Sequence, residues 1–231
     1  MRVRQEFREQ QVKPWMADML RLIQQCMDIA QTVVGALLII GQSFWLMFPA
    51  YVSGSAAVLY KGKAPMDGGR KWRGKRLFGD GKTWEGFIFG GLTGVFAGEM
   101  QQLISYLSNQ PRFNVMGMSF IGTFDPDILP NMSFGALAVT ACLSYGGLLG
   151  DLIKSFIKRR MGIERGKKSP FLMDQLDFVA GAWLLTIPIF WNWFWTAFSV
   201  FNIIVILIMT PLIHRAVNIA GYKLGQKREP W

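Results

Sequence analysis

Histidine is almost missing from this sequence: His214 is the only one among 231 residues. It stands beside Arg215 at the end of an apolar run, a position that reads as interfacial rather than as a general base. No Ser-His-Asp set forms around it. Cysteine is nearly as scarce. Cys26 and Cys142 are far apart, and Cys142 lies within an apolar run. That argues against a structural disulfide, and these residues make no Cys/His metal cluster. Charge is thin as well, at 17% of residues against 51% hydrophobic. The first apolar stretch is interrupted by Asp18, Arg21 and Asp28, so the N-terminus does not read as a secretory signal. No nucleic-acid-binding pattern and no convincing internal repeat is visible.

Apolar residues are what the chain has in abundance, with 18 Phe, 13 Met and 9 Trp. Several runs reach the roughly 20 residues needed to cross a bilayer. The pattern predicts an all-α, polytopic membrane protein, one membrane-embedded domain over 1–231. Five spans are expected at about 33–59, 83–107, 135–157, 171–190 and 194–213, with Trp191-Asn192-Trp193 as a tight aromatic turn between the last two. Residues 1–30 are charged and then amphipathic. Met16, Met19, Leu20, Ile23, Met27 and Ala30 recur at helical spacing behind Pro14, which suits a first helical turn. An interfacial helix lying on the membrane is expected there, with a helix packed against a partner subunit as the alternative. Gly86, Gly90, Gly94 and Gly98 form one helical stripe that predicts a close packing seam, inside the molecule or in a dimer.

The net charge of +10 fits cytoplasmic loops and contact with anionic membrane lipids rather than nucleic acid. Loop 61–82 carries eight Lys/Arg, region 154–168 seven and the tail four, whereas loop 108–134 carries one. Positive-inside bias therefore puts both basic loops and the C-terminus in the cytoplasm of a multi-pass cell-membrane protein. Five spans then put the N-terminus outside, against the five basic residues of its first 21.

Chemistry-bearing residues gather at those loops. Asp151, Ser155 and Lys158 share one helical face, as do Asp174 and Asp177. Carboxylates inside apolar segments are costly unless paired or wetted. Three near one level point to a shared cation or cavity, and hard oxygen ligands favour Mg²⁺ with substrate phosphates. The alternative is that Asp151 and Asp177 pair with Lys154, Lys158 or Arg159. In the other loop, Lys75, Arg76, Gly79, Asp80, Gly81, Lys82 and Thr83 make a glycine-rich turn before a helix start, suited to anions. It is not a Walker A loop, because Arg76 stands where that motif needs glycine. A solvated loop that only sets orientation is the alternative.

Two ordered stretches carry a family resemblance. Gly150-Asp151-Leu152, Ser155, Lys158-Arg159, Gly162-Ile163 and Asp174-Gln175-Leu176-Asp177 resemble the signature of the CDP-diacylglycerol synthases. Asp67-Gly68 and Gly81-Lys82-Thr83-Trp84-Glu85-Gly86 resemble their upstream motif. Glu164-Arg165 stands where bacterial members have Lys-Asp, and a His-Gly-Gly element is missing. The glycine spacing with Ser169-Pro170 and Asp-Gln-Leu-Asp looks like the archaeal branch, the CDP-archaeol synthases. The resemblance implies a five-helix, Mg²⁺-dependent cytidylyltransferase acting on CTP and an isoprenoid ether-lipid phosphate. Asp174 and Asp177, with Asp151 or Asp67, would then hold metal. Lys82 and its glycines would hold the pyrophosphate portion of CTP, and Lys158, Arg159 and Arg165 would meet the lipid phosphate or α-phosphate. A CTP-dependent polyprenol kinase and a small ion or phosphate transporter are the rival expectations.

Overall fold

A computed structural model describes residues 14–60, 62–107, 112–115, 118–121, 134–163 and 176–223. In chain order the elements are helix α1 (Pro14–Leu59), strands β1 (Lys71–Trp72) and β2 (Lys75–Arg76), helix α2 (Trp84–Leu107), strands β3 (Arg112–Val115) and β4 (Met118–Ile121), and helices α3 (Phe134–Arg160), α4 (Asp177–Ile189), α5 (Trp191–Ala197) and α6 (Val200–Lys223). The chain divides into two units, Met1–Leu38 and Ile39–Trp231.

In the first unit residues 14–38 are helical and residues 18–34 are exposed, Leu20, Leu22, Ile23, Met27 and Ile29 among them. Gln24 Nε2 donates to Asp28 Oδ1 at 2.9 Å, one helical turn on. The sequence reading separates this amphipathic stretch from a span starting near residue 33. Residues 14–59 instead form one continuous helix. The join is Ala30-Gln31-Thr32-Val33, without proline or glycine, so nothing there interrupts the hydrogen-bond ladder.

The second unit is a helical assembly. Its core is Leu46, Met47 and Ala50 of α1, Ala136, Val139 and Leu143 of α3, Val179 and Ala182 of α4, and the aromatics Trp193, Phe194 and Phe198. Small residues set the helix spacing. A Cβ on Gly90 would lie 2.8 Å from Ala57 Cβ, one on Gly94 2.6 Å from Pro49 O, and one on Gly98 would run into Thr140, so the glycine stripe of α2 is an internal seam against α1 and, at its far end, α3. Gly146 faces the carbonyl of Gly181 and Gly150 that of Asp177, which brings α3 and α4 into backbone contact. Pro49 has no N–H, so it leaves the carbonyl of Trp45 without its helical donor. Gln101 Nε2 of α2 donates to that carbonyl at 2.8 Å.

Two corrections concern the C-terminal half. Trp191, Asn192 and Trp193 are not a turn but the start of α5; the break lies at Phe190, with ψ 50°. No glycine or proline occurs between Trp191 and Ala197, so the segment continues as helix. A second break follows at Phe198-Ser199, where Ser199 and Asn202 cap α6 reciprocally: the N–H of Asn202 donates to Ser199 Oγ at 3.2 Å and the N–H of Ser199 to Asn202 Oδ1 at 3.2 Å. Trp191–Ala197 and Val200–Arg215 meet at 79°. Among the described residues, Asp18–Leu59 and Phe134–Arg160 are long and apolar enough to cross a membrane, and the bent pair makes a third if it is one span; Asp177–Ile189 is a shorter apolar helix. Residues 171–175 of the expected fourth span lie outside the described residues.

Candidate active site

The glycine-rich loop before α2 is built around Asp67, a buried carboxylate. Arg76 Nη2 and Nε donate to it at 2.7 and 3.1 Å, and the N–H groups of Gly69, Phe78 and Gly79 donate at 3.1, 3.1 and 3.0 Å. Five donors fill a carboxylate with about four lone-pair sites. The Arg76 guanidinium, and then the backbone donors, hold the Asp67 carboxyl well below the usual carboxylate range. Asp80 is exposed and pairs with the other side of Arg76 at 2.9 Å. Strands β1 and β2 pair Lys71 with Arg76 and Trp72 with Lys75. Their two-residue turn has positive φ at Arg73 (51°) and Gly74 (77°), as a tight hairpin requires.

The turn at residues 79–83 follows. Gly79 takes φ 98°, and a Cβ there would lie 3.3 Å from Arg159 Nη2. The N–H of Lys82 donates to Gly79 O at 3.2 Å. Thr83 is the N-cap of α2, its Oγ1 accepting the N–H of Gly86 at 3.2 Å. This cap aims the preceding residue, Lys82, at α3.

There Lys82 Nζ donates to Asp151 Oδ2. Asp151 Oδ1 lies 3.1 Å from Lys154 Nζ, and Lys154 Nζ lies 2.7 Å from Asp177 Oδ2 on α4. Four charges of alternating sign thus run from the loop through α3 to α4. The carboxylates of Asp151 and Asp177 are joined through Lys154, the pairing alternative read from the sequence. Neither oxygen of Asp177 has a hydrogen bond of good geometry, although the residue is buried. Among the described residues no three His, Cys, Asp or Glu side chains converge as a metal set.

Lys82 and Asp151 face a cavity of about 810 Å³. Its walls are the end of α1 (Tyr51, Ser55, Val58), the start of α2 (Gly86, Phe87), α3 (Leu148, Leu152), Phe178 of α4, and Thr210, Ile213 and His214 of α6. Tyr51 and Thr210 bridge α1 and α6 through their hydroxyls at 2.7 Å. The cavity is therefore charged at one rim and largely apolar elsewhere.

Lys82, Asp151 and Asp177 are brought together as the sequence predicts. Gly81 and Thr83 line the cavity beside them. Ser155 instead turns back onto its own helix, its Oγ donating to Asp151 O at 2.8 Å. Arg159 donates to Ile163 O at 2.9 Å and closes over Gly79; Lys75 donates to Arg160 O at 3.2 Å. Lys158 is in the last turn of α3. Asp174 and Arg165 lie outside the described residues. Three residues were given no site role from sequence: Lys154, Arg160 and His214. Lys154 had a signal, three residues beyond Asp151 on the same helix. The others depend on contacts between distant segments.

Bilayer-length apolar helices enclosing a cavity with a half-buried charge cluster at its rim define a membrane protein whose site is formed between its helices. Comparison with known proteins narrows that class. The family model described as "CarS-like: CDP-archaeol synthase" matches residues 36–231. The chain is 41% identical over 186 residues to the CDP-archaeol synthase of Methanosarcina barkeri, covering 80% of this chain and 100% of the relative. It is 41% identical over 199 residues to that of Halorubrum lacusprofundi, covering 86% and 100%. A solved structure of an intramembrane enzyme for archaeal membrane lipid biosynthesis aligns with TM-score 0.55 and 30% identity, covering 76% of this chain and 92% of the other. The chain belongs to the CarS-like family of CDP-archaeol synthases.

Proposed function

We propose that this protein transfers the cytidylyl group of CTP to an isoprenoid ether-lipid phosphate, unsaturated archaetidic acid, giving CDP-archaeol and pyrophosphate. One observation carries the reading: the Lys82–Asp151 contact at the charged rim of an otherwise apolar cavity between helices. Such a cavity suits a polyphosphate at its rim and a prenyl chain against its walls.

In the reaction a phosphate-monoester oxygen of the lipid attacks the α-phosphorus of CTP. The bond from the α-phosphorus to the bridging oxygen breaks, and its electron pair leaves with pyrophosphate. An ionised monoester is already nucleophilic, so alignment and charge neutralisation are the main demands. Lys82, released from Asp151, meets the pyrophosphate portion beside Gly81 and Thr83. Lys158 and Arg159, in the last turn of α3, meet the lipid phosphate or α-phosphate, with Arg165 as the third cation of this basic region.

Positive charge already sits between two of the carboxylates: Lys154 Nζ lies 2.7 Å from the buried Asp177 and 3.1 Å from Asp151, and a divalent cation would take its place. Asp151 and Asp177, with Asp174, would hold Mg²⁺. Mg²⁺ there would neutralise phosphate charge and favour departure of pyrophosphate. Asp67 does not fit, because its lone pairs are committed to Arg76 and the loop backbone.

Five spans remain the preferred topology. α2, with 24 residues, is about 36 Å long at 1.5 Å per residue, enough to cross. α4 belongs to the fourth expected crossing, and the bent pair α5–α6 is assigned to the fifth. The end of α1, the second half of α3, the middle of α6 and the starts of α2 and α4 line one cavity, which supports a single cytoplasmic rim. The assay supplies labelled CTP, Mg²⁺ and ether-lipid phosphate to purified protein. Equimolar CMP-containing lipid and pyrophosphate are expected, and loss of both in Asp177→Ala. Release of CDP without CMP-lipid overturns the reaction; full activity in Asp177→Ala overturns the metal assignment.

A further inference from the structure

The β1–β2 hairpin has only two paired positions of its own, too few to be stable in isolation. Its anchor is Arg160, the last residue of α3. Arg160 Nη1 donates to Trp72 O at 2.5 Å, and Nη2 donates to Lys75 O and Arg76 O at 3.0 and 2.8 Å. The guanidinium also lies over two rings, 5.3 Å from the Trp72 centroid and 5.1 Å from that of Phe156, which are themselves stacked 5.7 Å apart. A planar fork meets three carbonyls and two ring faces at once; a lysine ammonium has neither the plane nor the span.

The grip extends beyond the hairpin. Arg76, whose carbonyl Arg160 holds, binds Asp67 through its side chain. Asp67 in turn accepts the N–H of Gly79, whose carbonyl accepts the N–H of Lys82. A continuous series of contacts therefore runs from the end of α3 to the turn that aims Lys82. Arg160 itself does not line the cavity.

We propose that Arg160 is a positioning residue for the nucleotide: by gripping the 71–76 hairpin it sets, through Arg76 and Asp67, the place of the 79–83 turn. This rests on the cytidylyl-transfer reading and assigns Arg160 to the CTP side of the site. Loss of the grip displaces a phosphate-binding turn at one side of the cavity, while its helical walls from α1, α3, α4 and α6 stay in place.

The test measures initial rates of full-length protein in detergent–lipid micelles, with CTP and lipid phosphate varied separately. Arg160→Gln is expected to raise the KM for CTP about tenfold, with the KM for lipid phosphate and kcat within about twofold. Arg160→Lys falls between wild type and Arg160→Gln, since it keeps the charge without the fork. Trp72→Leu removes the stacked ring but no carbonyl, and shifts the KM for CTP less, in the same direction. These two variants carry the comparison if Arg160→Gln does not fold. Unchanged KM for CTP overturns the proposal. So does a fall in kcat with both KM values unchanged, the signature of lost folded protein, or a rise confined to the lipid KM. Wild-type protein that forms no CMP-lipid overturns the functional reading and the inference with it; normal turnover with an indifferent Arg160 overturns only the inference.

Discussion

Replacing Asp67 by Asn separates two roles for this carboxylate. As a metal ligand it would act only when cation is present; as the organiser of the 62–83 loop it acts always. Asparagine keeps the shape but turns one acceptor oxygen into an NH₂ donor. If that NH₂ takes the Oδ2 position, it confronts the N–H groups of Phe78 and Gly79, which sit 3.1 and 3.0 Å away. Each backbone donor left without an acceptor costs about 1–3 kcal/mol, so these two alone amount to roughly 2–6 kcal/mol. The opposite amide orientation confronts Gly69 and Arg76 instead, so neither rotamer escapes. At about 1.4 kcal/mol per tenfold, the ordered loop becomes at least about 30-fold less favoured. Hydrogen exchange without metal reads this directly: the N–H groups of Phe78 and Gly79 should lose protection, while the core of α3 keeps it. The KM for CTP should rise in parallel. Protection equal to wild type, with a changed Mg²⁺ requirement, would refute the loop role and restore the metal role. The pH dependence follows from the direction of the Asp67 shift. Its folded pKa is depressed, so its contribution to loop order is fully present above the unfolded carboxylate pKa of about 4 and is lost as pH falls through the folded pKa. Wild-type protection of Gly79 should therefore owe nothing to Asp67 titration between about pH 5 and 8.

Lys154→Met leaves the buried carboxylate of Asp177 and the half-buried one of Asp151 without their shared cation. Breaking such a buried pair costs about 3–5 kcal/mol, and thermal unfolding in micelles should show a lower Tm than Lys154→Arg, which keeps the charge. An equal Tm for the Met and Arg variants would show that the bridge contributes no stability. In Gly150→Ala the new Cβ would meet the Asp177 carbonyl group, with its carbon at 2.9 Å, and Gly181 Cα at 3.0 Å. Backbone cannot yield as a side-chain tip can, so α3 and α4 must separate, at about 2–3 kcal/mol. Activity and Tm should fall together, and retention of both would contradict the close contact of these helices.

Membrane character, the extent of α2 and α3, and the two basic regions were legible from local patterns. Runs of apolar residues report lipid-length helices, and Gly86 to Gly98 at every fourth position reports a close approach. The nearness of Lys82, Asp151 and Asp177 was legible too, because carboxylates inside apolar segments require partners. The continuity of α1 and the helical start at Trp191 were not legible in the sequence: a change in polarity does not by itself break a helix, and clustered aromatic residues do not by themselves make a turn.

The sequence by itself determined that this is a helical membrane protein with two basic regions, and its two ordered motifs determined the family it resembles. Those properties reside in composition and in spacing along one chain. Only the tertiary structure decided that Asp67 organises a loop, that Lys154 bridges α3 and α4, and that Arg160 grips a hairpin 84 to 88 residues before it. Periodicity has no term for such pairings: a carboxylate reads the same whether its partner is a cation, a backbone amide or a metal. The partner is set by how closely the glycine seams let the helices approach, and by where each helix ends when they do.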